Sequence, residues 1–184
     1  MRKINAVLSA LIIILFGIHG IAGAFQLFGV FGGGNSVLEI MSYILLSAIC
    51  VHALIGVKLT FDTLSSMRKS GVSYFKENAW FWIRRISGFS VLLFAAWHVI
   101  IFTSSGGADF RLHDFGALQL AASILLAVSV VIHVVSNIKP LIISFGSGFL
   151  YKFIVDMFVV LSVVLLFCAA AFIFYYFRWN IFWR

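Results

Sequence analysis

Four histidines of this chain lie within long apolar segments, where ionisable side chains are rare. They are His19, His52, His98 and His133. Each lies within a long apolar stretch, such as "SGFSVLLFAAWHVIIF" around His98. A neutral imidazole can transfer protons or bind a metal through a ring nitrogen. One buried histidine is most often packed against a backbone carbonyl, but each carries a desolvation penalty that a partner must offset. Four of them in a short chain therefore indicate a shared chemical task.

The segments that carry these histidines are long enough to cross a membrane. Of the 184 residues, 63% are hydrophobic, 10% are charged and one is proline. About 20 apolar residues in a helix span a hydrocarbon core of about 30 Å. Five such runs occur, at about residues 5–31, 37–61, 80–103, 115–138 and 149–177. We therefore predict an all-α integral membrane protein, a bundle of five transmembrane helices that forms one domain over residues 1–184.

The first apolar run could instead belong to a signal peptide. "MRK" precedes it, and "AGA" at residues 22–24 is similar to a cleavage site. The run continues through "FQLFGVF", however, which makes it longer than a signal core, and it contains His19. The sequence favours a first helix that is retained.

The basic residues predict an orientation in the membrane. A net charge of +7 could indicate nucleic-acid binding, but ten of the 13 Lys and Arg residues fall on one side of the predicted bundle. Those ten are Arg2, Lys3, Lys58, Arg68, Lys69, Lys76, Arg84, Arg85, Lys139 and Lys152, and the other three are Arg111, Arg178 and Arg184. The positive-inside rule then makes the N-terminus cytoplasmic and the C-terminus external. We expect a multi-pass protein of the cell inner (cytoplasmic) membrane, without a nucleic-acid partner.

The two cysteines do not provide a metal or disulfide framework. Cys50 and Cys168 fall inside the second and fifth predicted helices. Buried small apolar residues are the expected role for both.

The depths of the histidines sort them into two pairs. At 1.5 Å per residue from the cytoplasmic ends, His19 lies ~21 Å and His98 ~26 Å into the membrane. Counting from the external ends, His52 lies ~22 Å and His133 ~27 Å in, near the cytoplasmic boundary. The first and third helices thus share one level, the second and fourth share another, and the two levels lie roughly 18 Å apart.

Two facing neutral imidazoles in an apolar bundle are the ligand set of a six-coordinate b-type haem. Each histidine supplies one axial nitrogen, and apolar walls accept the porphyrin. A zinc site would need three or four nitrogen, sulfur or carboxylate ligands at one point. No Cys, Asp or Glu accompanies either pair at helical spacing. The sequence therefore predicts two haem b sites, His19 with His98 and His52 with His133.

Small residues precede the histidines at matching offsets. Ser9 and Gly88 stand ten residues before the histidines of the first and third helices. Ala48 and Ser129 stand four residues before those of the second and fourth helices. Small side chains leave room for a flat macrocycle beside a helix, and the matching offsets indicate equivalent tasks for alternate helices.

Four cations lie where a haem propionate could reach them. Lys58 and Lys139 each stand six residues after a histidine, ~9 Å nearer the cytoplasm. They are equally well explained as interfacial lysines whose charged ends reach the membrane surface. Arg84 and Arg85 begin the third helix, where topology alone explains them, although a propionate contact is physically attractive.

With these features the chain resembles the dihaem cytochrome b membrane subunit of succinate dehydrogenases and quinol:fumarate reductases. The most specific part is "AWFWIRRISGFSVLLFAAWH", which is similar to that family's tryptophan-rich start, here including Trp82, followed by a small residue, glycine and the axial histidine. "CVHALIGVK" is similar to the second-helix His-Ala stretch. The resemblance covers all five helices and implies axial histidines that pair first helix with third and second with fourth. Some fumarate reductases carry a proton-transferring glutamate where this chain has Val131, so that path is not expected here.

The resemblance also implies partners and a quinone. It implies a cytoplasmic iron–sulfur subunit that carries a flavoprotein subunit, with the basic connection 65–80 as part of the docking surface, and a membrane quinone, menaquinone. The connection could equally be a topology determinant alone. Succinate and fumarate would be interconverted on the partners, because the chain has no catalytic cluster or nucleotide fingerprint of its own.

The quinone is expected at the external face beside the His19–His98 level. Glu39, at the predicted start of the second helix, is the candidate catalytic carboxylate, or else an acid stabilised by the helix dipole. Other polar candidates on that side are Gln26, Asn35, Asp109, His113 and Asp114. A cytoplasmic site using Asp62 or Asp156 is the alternative.

Two other functional classes remain open. The chain could be the haem anchor of another membrane dehydrogenase or of a heterodisulfide reductase. It could also be a small transporter without haem, whose histidines handle protons or metal ions.

Overall fold

Five α-helices make up the described part of the chain. The computed structural model describes residues 1–33, 35–70, 78–103, 115–145 and 148–182, with the backbone alone at 70, 145 and 148–154. The helices are α1 (Arg2–Phe28), α2 (Ser36–Ser70), α3 (Ala79–Thr103), α4 (Ala117–Phe145) and α5 (Gly148–Phe177), and a short π-helix, Arg178–Phe182, follows. All five are long and apolar enough to cross a membrane, and the described residues contain no strand. The predicted all-helical class with five candidate membrane spans is confirmed.

The turn between α1 and α2 is defined by local backbone chemistry. Gly29 has φ 80°, a left-handed conformation that favours glycine, and its N–H donates to the Gln26 carbonyl at 3.0 Å. This ends α1 at Phe28, three residues before the predicted end. On the other side of the turn, the Asn35 side-chain oxygen accepts from the N–H groups of Val37 and Leu38 at 3.0 and 3.2 Å. Asn35 therefore caps the N-terminus of α2.

Two helices continue well past their apolar runs. The second helix was predicted to end near residue 61, but α2 extends through "DTLSSMRKS" to Ser70. The fourth was predicted to end near 138, but α4 continues through Pro140 to Phe145. Hydropathy marks where a segment can sit in lipid, whereas a helix can continue in polar sequence beyond it. Both extensions lie at the end of the bundle where α1 begins.

The first four helices form two antiparallel hairpins, α1 with α2 and α3 with α4. α5 packs against α1 and α4, and α1 also packs against α4. α5 runs in the same direction as α1, because Phe25 contacts Phe167 and Phe28 contacts Phe174, at ring-centroid distances of 5.4 and 5.1 Å. The first four helices thus follow one another by packing contact in the order α2, α1, α4, α3, and α5 packs against the two middle helices, α1 and α4.

The interior and exterior of the bundle are both apolar. A buried core at the end where α1 finishes contains Ala24, Leu27, Ile101, Phe115, Val164, Cys168, Ala171, Phe172 and Tyr175. Large apolar side chains such as Leu54, Phe89 and Leu166 remain about 70% exposed, at 71%, 69% and 72%. Water would not favour such an exterior, but lipid would. The burial pattern agrees with a helical protein in contact with a bilayer.

Candidate functional site

The structure brings the four membrane histidines together as two pairs. His19 on α1 lies beside His98 on α3, with ring centroids 6.1 Å apart and planes at 74°. His52 on α2 lies beside His133 on α4, with ring centroids 6.3 Å apart and planes at 88°. These are the combinations that the sequence depths predict. Each pair joins one helix of the α1–α2 hairpin to one helix of the α3–α4 hairpin.

Both histidine pairs join helices that are not closely packed against each other. The closely packed pairs among the first four helices of the described chain are α1 with α2, α3 with α4 and α1 with α4, whereas α1 with α3, α2 with α4 and α2 with α3 are not among them. The imidazoles therefore meet across the middle of the bundle, between helices whose backbones stand further apart. Each histidine thus faces a histidine of the other hairpin.

The two pairs occupy different levels along the bundle. Ser9 of α1 touches His52, and the other α1 contact, His19, comes ten residues later. On α3, Ser87 touches His133 and His98 comes eleven residues later. At 1.5 Å per residue, both helices give a separation of about 15–17 Å along the bundle. This agrees with the spacing expected from the sequence.

Serine hydroxyls hold one ring nitrogen of three histidines. Nδ1 of His19 lies 3.0 Å from Oγ of Ser42 on α2. Nδ1 of His52 lies 3.4 Å from Oγ of Ser9 on α1. Nδ1 of His133 lies 3.2 Å from Oγ of Ser87 on α3, a serine that is 5% exposed. In each of these rings one nitrogen is engaged, which leaves Nε2 as the remaining nitrogen for another partner.

His98 differs from the other three. Its Nδ1 is buried and has no hydrogen-bond partner among the described residues. Its ring packs against Phe102 at 4.4 Å and Phe172 at 6.3 Å between centroids. A buried polar atom left in aromatic surroundings is costly, so this position requires an explanation.

Each histidine pair could hold one metal ion between two imidazole nitrogens. With a metal–nitrogen bond of about 2 Å, two imidazoles on opposite faces of one iron have ring centroids about 6 Å apart. The observed 6.1 and 6.3 Å match that separation. Within the described ranges, no group of three or more His, Cys, Asp or Glu side chains could hold a metal ion. A zinc-type site is therefore not supported by these residues.

Two small residues that were expected to leave room for a flat macrocycle lie against histidines of the neighbouring helices. These are Ser9 and Gly88, which stand ten residues before His19 and His98. Ser9 contacts His52 of α2. A Cβ atom built on Gly88 would lie 3.1 Å from Cε1 and 3.3 Å from Nδ1 of His133 on α4. The small size of Ser9 and Gly88 therefore leaves room for the histidine of the antiparallel helix in the same hairpin.

The aromatic and basic start of α3 lies at the level of the His52–His133 pair. The Arg85 guanidinium stacks over the Phe81 ring at 4.9 Å, and the same ring packs against Trp82 at 5.3 Å. Nε of Arg85 is buried without a hydrogen-bond partner among the described residues. Nε of Arg84 donates to the Trp80 carbonyl at 2.9 Å. Of the two arginines, Arg85 retains a buried donor for an anionic group.

The remaining predicted site residues are mostly at the surface. Lys58 and Lys139 are exposed, and so are Asp62 and Asp156. Val131 is 40% exposed, so position 131 faces outward rather than toward the histidines.

Glu39 lies in the first turn of α2, is exposed, and is close to an open cleft. The cleft has a volume of ≈ 670 Å³ and is lined by Ala22, Val30, Phe31, Gly32, Gly33, Asn35, Val37 and Leu38. Gln26 closes one edge of the turn, because its side-chain amide donates to the Gly32 carbonyl at 3.3 Å.

Several predicted residues lie outside the described part of the chain. These are Lys76, Asp109, Arg111, His113, Asp114 and Arg184, the side chain of Lys152, and residues 71–77 of the proposed docking connection.

Ser42 and Ser87 are functional candidates that the sequence reasoning missed. Ser42 stands ten residues before His52, the same spacing as Ser9 before His19. That repeated spacing was available in the sequence. Its meaning depends on the register between the helices, which spacing along one chain does not give.

Comparison with known proteins adds no relative. No protein-family model matches the chain, and neither a curated protein nor a solved structure matches it. Functional assignment therefore depends on the residues and their geometry.

Proposed function

We propose that this chain is a haem b-binding membrane anchor that passes electrons between a membrane quinone and peripheral iron–sulfur and flavoprotein subunits interconverting succinate and fumarate. The observation that carries the proposal is the two histidine contacts between the hairpins, His19 with His98 and His52 with His133. Four histidines from four helices, meeting two by two at two levels, are not needed to pack an apolar bundle.

The chain's residues would hold two haems through these four imidazoles. When bound, a haem supplies reversible one-electron transfer at its iron. The apolar interior would accept the macrocycles. Arg85, with its buried unbonded Nε, is the best-placed cation for a propionate of the group at the His52–His133 level. Lys58 and Lys139, which are exposed, are better explained as interfacial lysines.

The orientation follows from the charge distribution. The end of the bundle where α1 begins also carries Arg68 and Lys69 in the polar extension of α2. The positive-inside rule places this end in the cytoplasm. The extension brings basic residues beyond the membrane boundary, where the iron–sulfur and flavoprotein subunits would dock. The His52–His133 site is the nearer of the two to that surface.

The quinone would react at the opposite, external end. The open cleft beside the α1–α2 turn lies at that end, and Glu39 lies one residue beyond its last lining position, Leu38. Quinone chemistry moves protons together with electrons and therefore needs a titratable or hydrogen-bonding group beside the ring oxygen. Glu39 and Asn35 supply such groups close to the His19–His98 level. The proposed quinone is menaquinone.

A haem count on the purified full-length chain tests the proposal. The chain is purified in mild detergent, reduced with dithionite and examined by visible spectroscopy and pyridine haemochrome assay. We expect b-type bands and two haems per chain. The double variant His19→Ala with His52→Ala, which leaves one histidine at each level, should contain none. A wild-type chain that shows no haem bands after expression with ample haem supply would overturn the proposal and favour a transporter without haem.

A further inference from the structure

The serines that contact the histidines have little freedom in how they bond. The Ser42 hydroxyl donates its proton to the Leu38 carbonyl of its own helix at 2.8 Å. Ser9 donates to the Asn5 carbonyl at 2.8 Å. A hydroxyl has one proton and two acceptor lone pairs. Once the proton is committed to the helix backbone, the oxygen can only accept from an imidazole.

This pattern determines which ring nitrogen carries the hydrogen. With the Ser42 hydroxyl donating to the Leu38 carbonyl, Nδ1 of His19 at 3.0 Å from Ser42 Oγ is assigned as the donor, and the neutral ring then carries its hydrogen on Nδ1. Its lone pair is then on Nε2, the nitrogen available to a metal. The same logic applies to His52 with Ser9 at 3.4 Å and to His133 with Ser87 at 3.2 Å. Ser87 also donates within its own helix, to the Arg84 carbonyl at 3.3 Å.

The register of the two hairpins explains why His98 lacks this bond. In the α1–α2 hairpin the arrangement is reciprocal, since Ser9 faces His52 and Ser42 faces His19. In the antiparallel α3–α4 hairpin, Ser87 faces His133. Moving eleven residues along both helices, about three turns, keeps the same faces and brings position 122 opposite His98. That residue is Ala122, which is buried at 5% exposure and has no hydroxyl.

We propose that Ser9, Ser42 and Ser87 are positioning residues that hold His52, His19 and His133 in the Nδ1-protonated form, and that Ala122 leaves His98 as the one histidine without this support. The inference rests on the proposed function, because it assigns the free Nε2 atoms to haem iron. It makes the His19–His98 site asymmetric, with one imidazole held by a serine and one not. The His52–His133 site has a serine at both rings.

A hydrogen bond from Nδ1 makes an imidazole a stronger electron donor to its metal, and second-shell hydrogen bonds of this kind tune potentials. Removing a serine partner should therefore raise the midpoint potential of the haem at that level. Supplying a partner to His98 should lower the potential at the His19–His98 level. The two changes act on one site in opposite directions.

The first experiment compares Ser42→Ala with Ser47→Ala in the full-length chain. Ser47 lies on the same helix, is exposed, and also donates to a backbone carbonyl, that of Tyr43 at 2.8 Å, but it contacts no histidine. Spectroelectrochemical titration should show an upward shift for one of the two haems in Ser42→Ala and no shift in Ser47→Ala. Ser42→Thr, which restores the hydroxyl, should return the potential toward wild type. Equal behaviour of Ser42→Ala and Ser47→Ala would overturn the inference.

The second experiment adds the missing hydroxyl. In Ala122→Ser the new hydroxyl can donate to the carbonyl one turn earlier and accept from His98. The haem whose potential rises in Ser42→Ala should be the one whose potential falls in Ala122→Ser. Ala121→Ser is the matched control, because Ala121 is exposed on the outer face of the same helix. A shift at the other haem, or none, contradicts the assignment of Ala122.

A measurement without haem separates this inference from the proposed function. In haem-free protein labelled with ¹⁵N at histidine, the ring-nitrogen shifts of His19 should report Nδ1 protonated, and Ser42→Ala should redistribute the hydrogen between the nitrogens. If the wild-type chain binds no haem, the proposed function fails while this measurement still decides the tautomers. If two haems bind but neither shifts nor potentials respond to the serine, only the inference fails.

Discussion

Gly88 on α3 lies so close to His133 on α4 that a single added carbon would reach the imidazole. A Cβ at Gly88 would lie 3.1 Å from Cε1 of the ring and 3.3 Å from Nδ1. The neighbouring Ser87 holds the same ring at 3.2 Å. The position of His133 thus depends on two neighbouring residues of α3. Gly88 has no side chain that would collide with the ring, and the Ser87 hydroxyl contacts its Nδ1 atom.

We predict that Gly88→Ala disturbs the His52–His133 site. Alanine in place of a helical glycine normally stabilises by about 0.5–1 kcal/mol, whereas overpacking a tight contact costs about 1–3 kcal/mol, so the clash should dominate. The measurement is the haem content and the thermal midpoint of the purified chain. Gly17→Ala is the control, because a Cβ there meets nothing within 4 Å. If both variants match wild type, His133 can move at little cost.

His52→Ala should remove one haem and retain the other. Its ring is one of two at its level, whereas His19 and His98 are held at a level about 15 Å away. The pyridine haemochrome assay should therefore give one haem per chain instead of two. Cys50→Ala, at an exposed position two residues away on the same helix, should keep both. Loss of both haems in a chain that remains folded would show that the sites are not independent.

The contact between α1 and α5 should depend on the absence of a side chain at Gly20. A Cβ there would lie 3.0 Å from Sγ of Cys168 and 3.2 Å from Cγ1 of Val164. We expect Gly20→Ala to lower the thermal midpoint and Cys168→Ala, combined with it, to restore part of the loss by removing Sγ. A double-mutant cycle measures the coupling, which should be about 0.5–3 kcal/mol for residues in contact. Additive effects would show that the two helices adjust independently of this contact.

Glu39→Gln should abolish quinone-linked turnover while both haems stay bound and reducible by dithionite. The substitution keeps the size of the side chain but removes its ability to exchange a proton with a quinone oxygen. Turnover is measured in the assembled complex with a soluble menaquinone analogue. Asp62→Asn is the control, because Asp62 is also exposed but lies at the opposite end of α2. Normal turnover in Glu39→Gln would contradict the assignment of Glu39. Loss of turnover in Asp62→Asn alone would indicate a quinone site on the opposite face.

Much of the architecture could be predicted from the sequence because lipid imposes a length on apolar segments. Five apolar runs gave five helices, and the depths of the histidines within them gave the two combinations that meet. The helix ends were less predictable, since α2 continues for nine residues after position 61 to Ser70, and seven of the nine are polar. Hydropathy predicts which residues lie in the apolar layer of the membrane, but it does not predict where a helix ends outside that layer.

The immediate surroundings of the histidines were harder to predict, because they depend on the register between helices. Ser9 was correctly singled out as a small residue, but its contact is with His52 rather than with the turns around His19. Ser42 was missed although it stands at the same ten-residue spacing. The periodicity of one helix predicts which of its residues share a face. Which residue of the antiparallel neighbour lies opposite them depends on the register between the two helices. The orphaned Nδ1 of His98 could not have been anticipated from any spacing within α3 alone.

The position of α5 has a consequence for biosynthesis. α5 carries no histidine, yet it packs against one helix from each hairpin, α1 and α4. It also follows all four histidine-bearing helices in the chain, so the ribosome delivers it to the membrane after both hairpins. Until then the hairpins meet where α1 packs against α4, without the helix that contacts both of them. The order of translation thus leaves an interval in which the two hairpins are together in the membrane before the last helix joins them from outside.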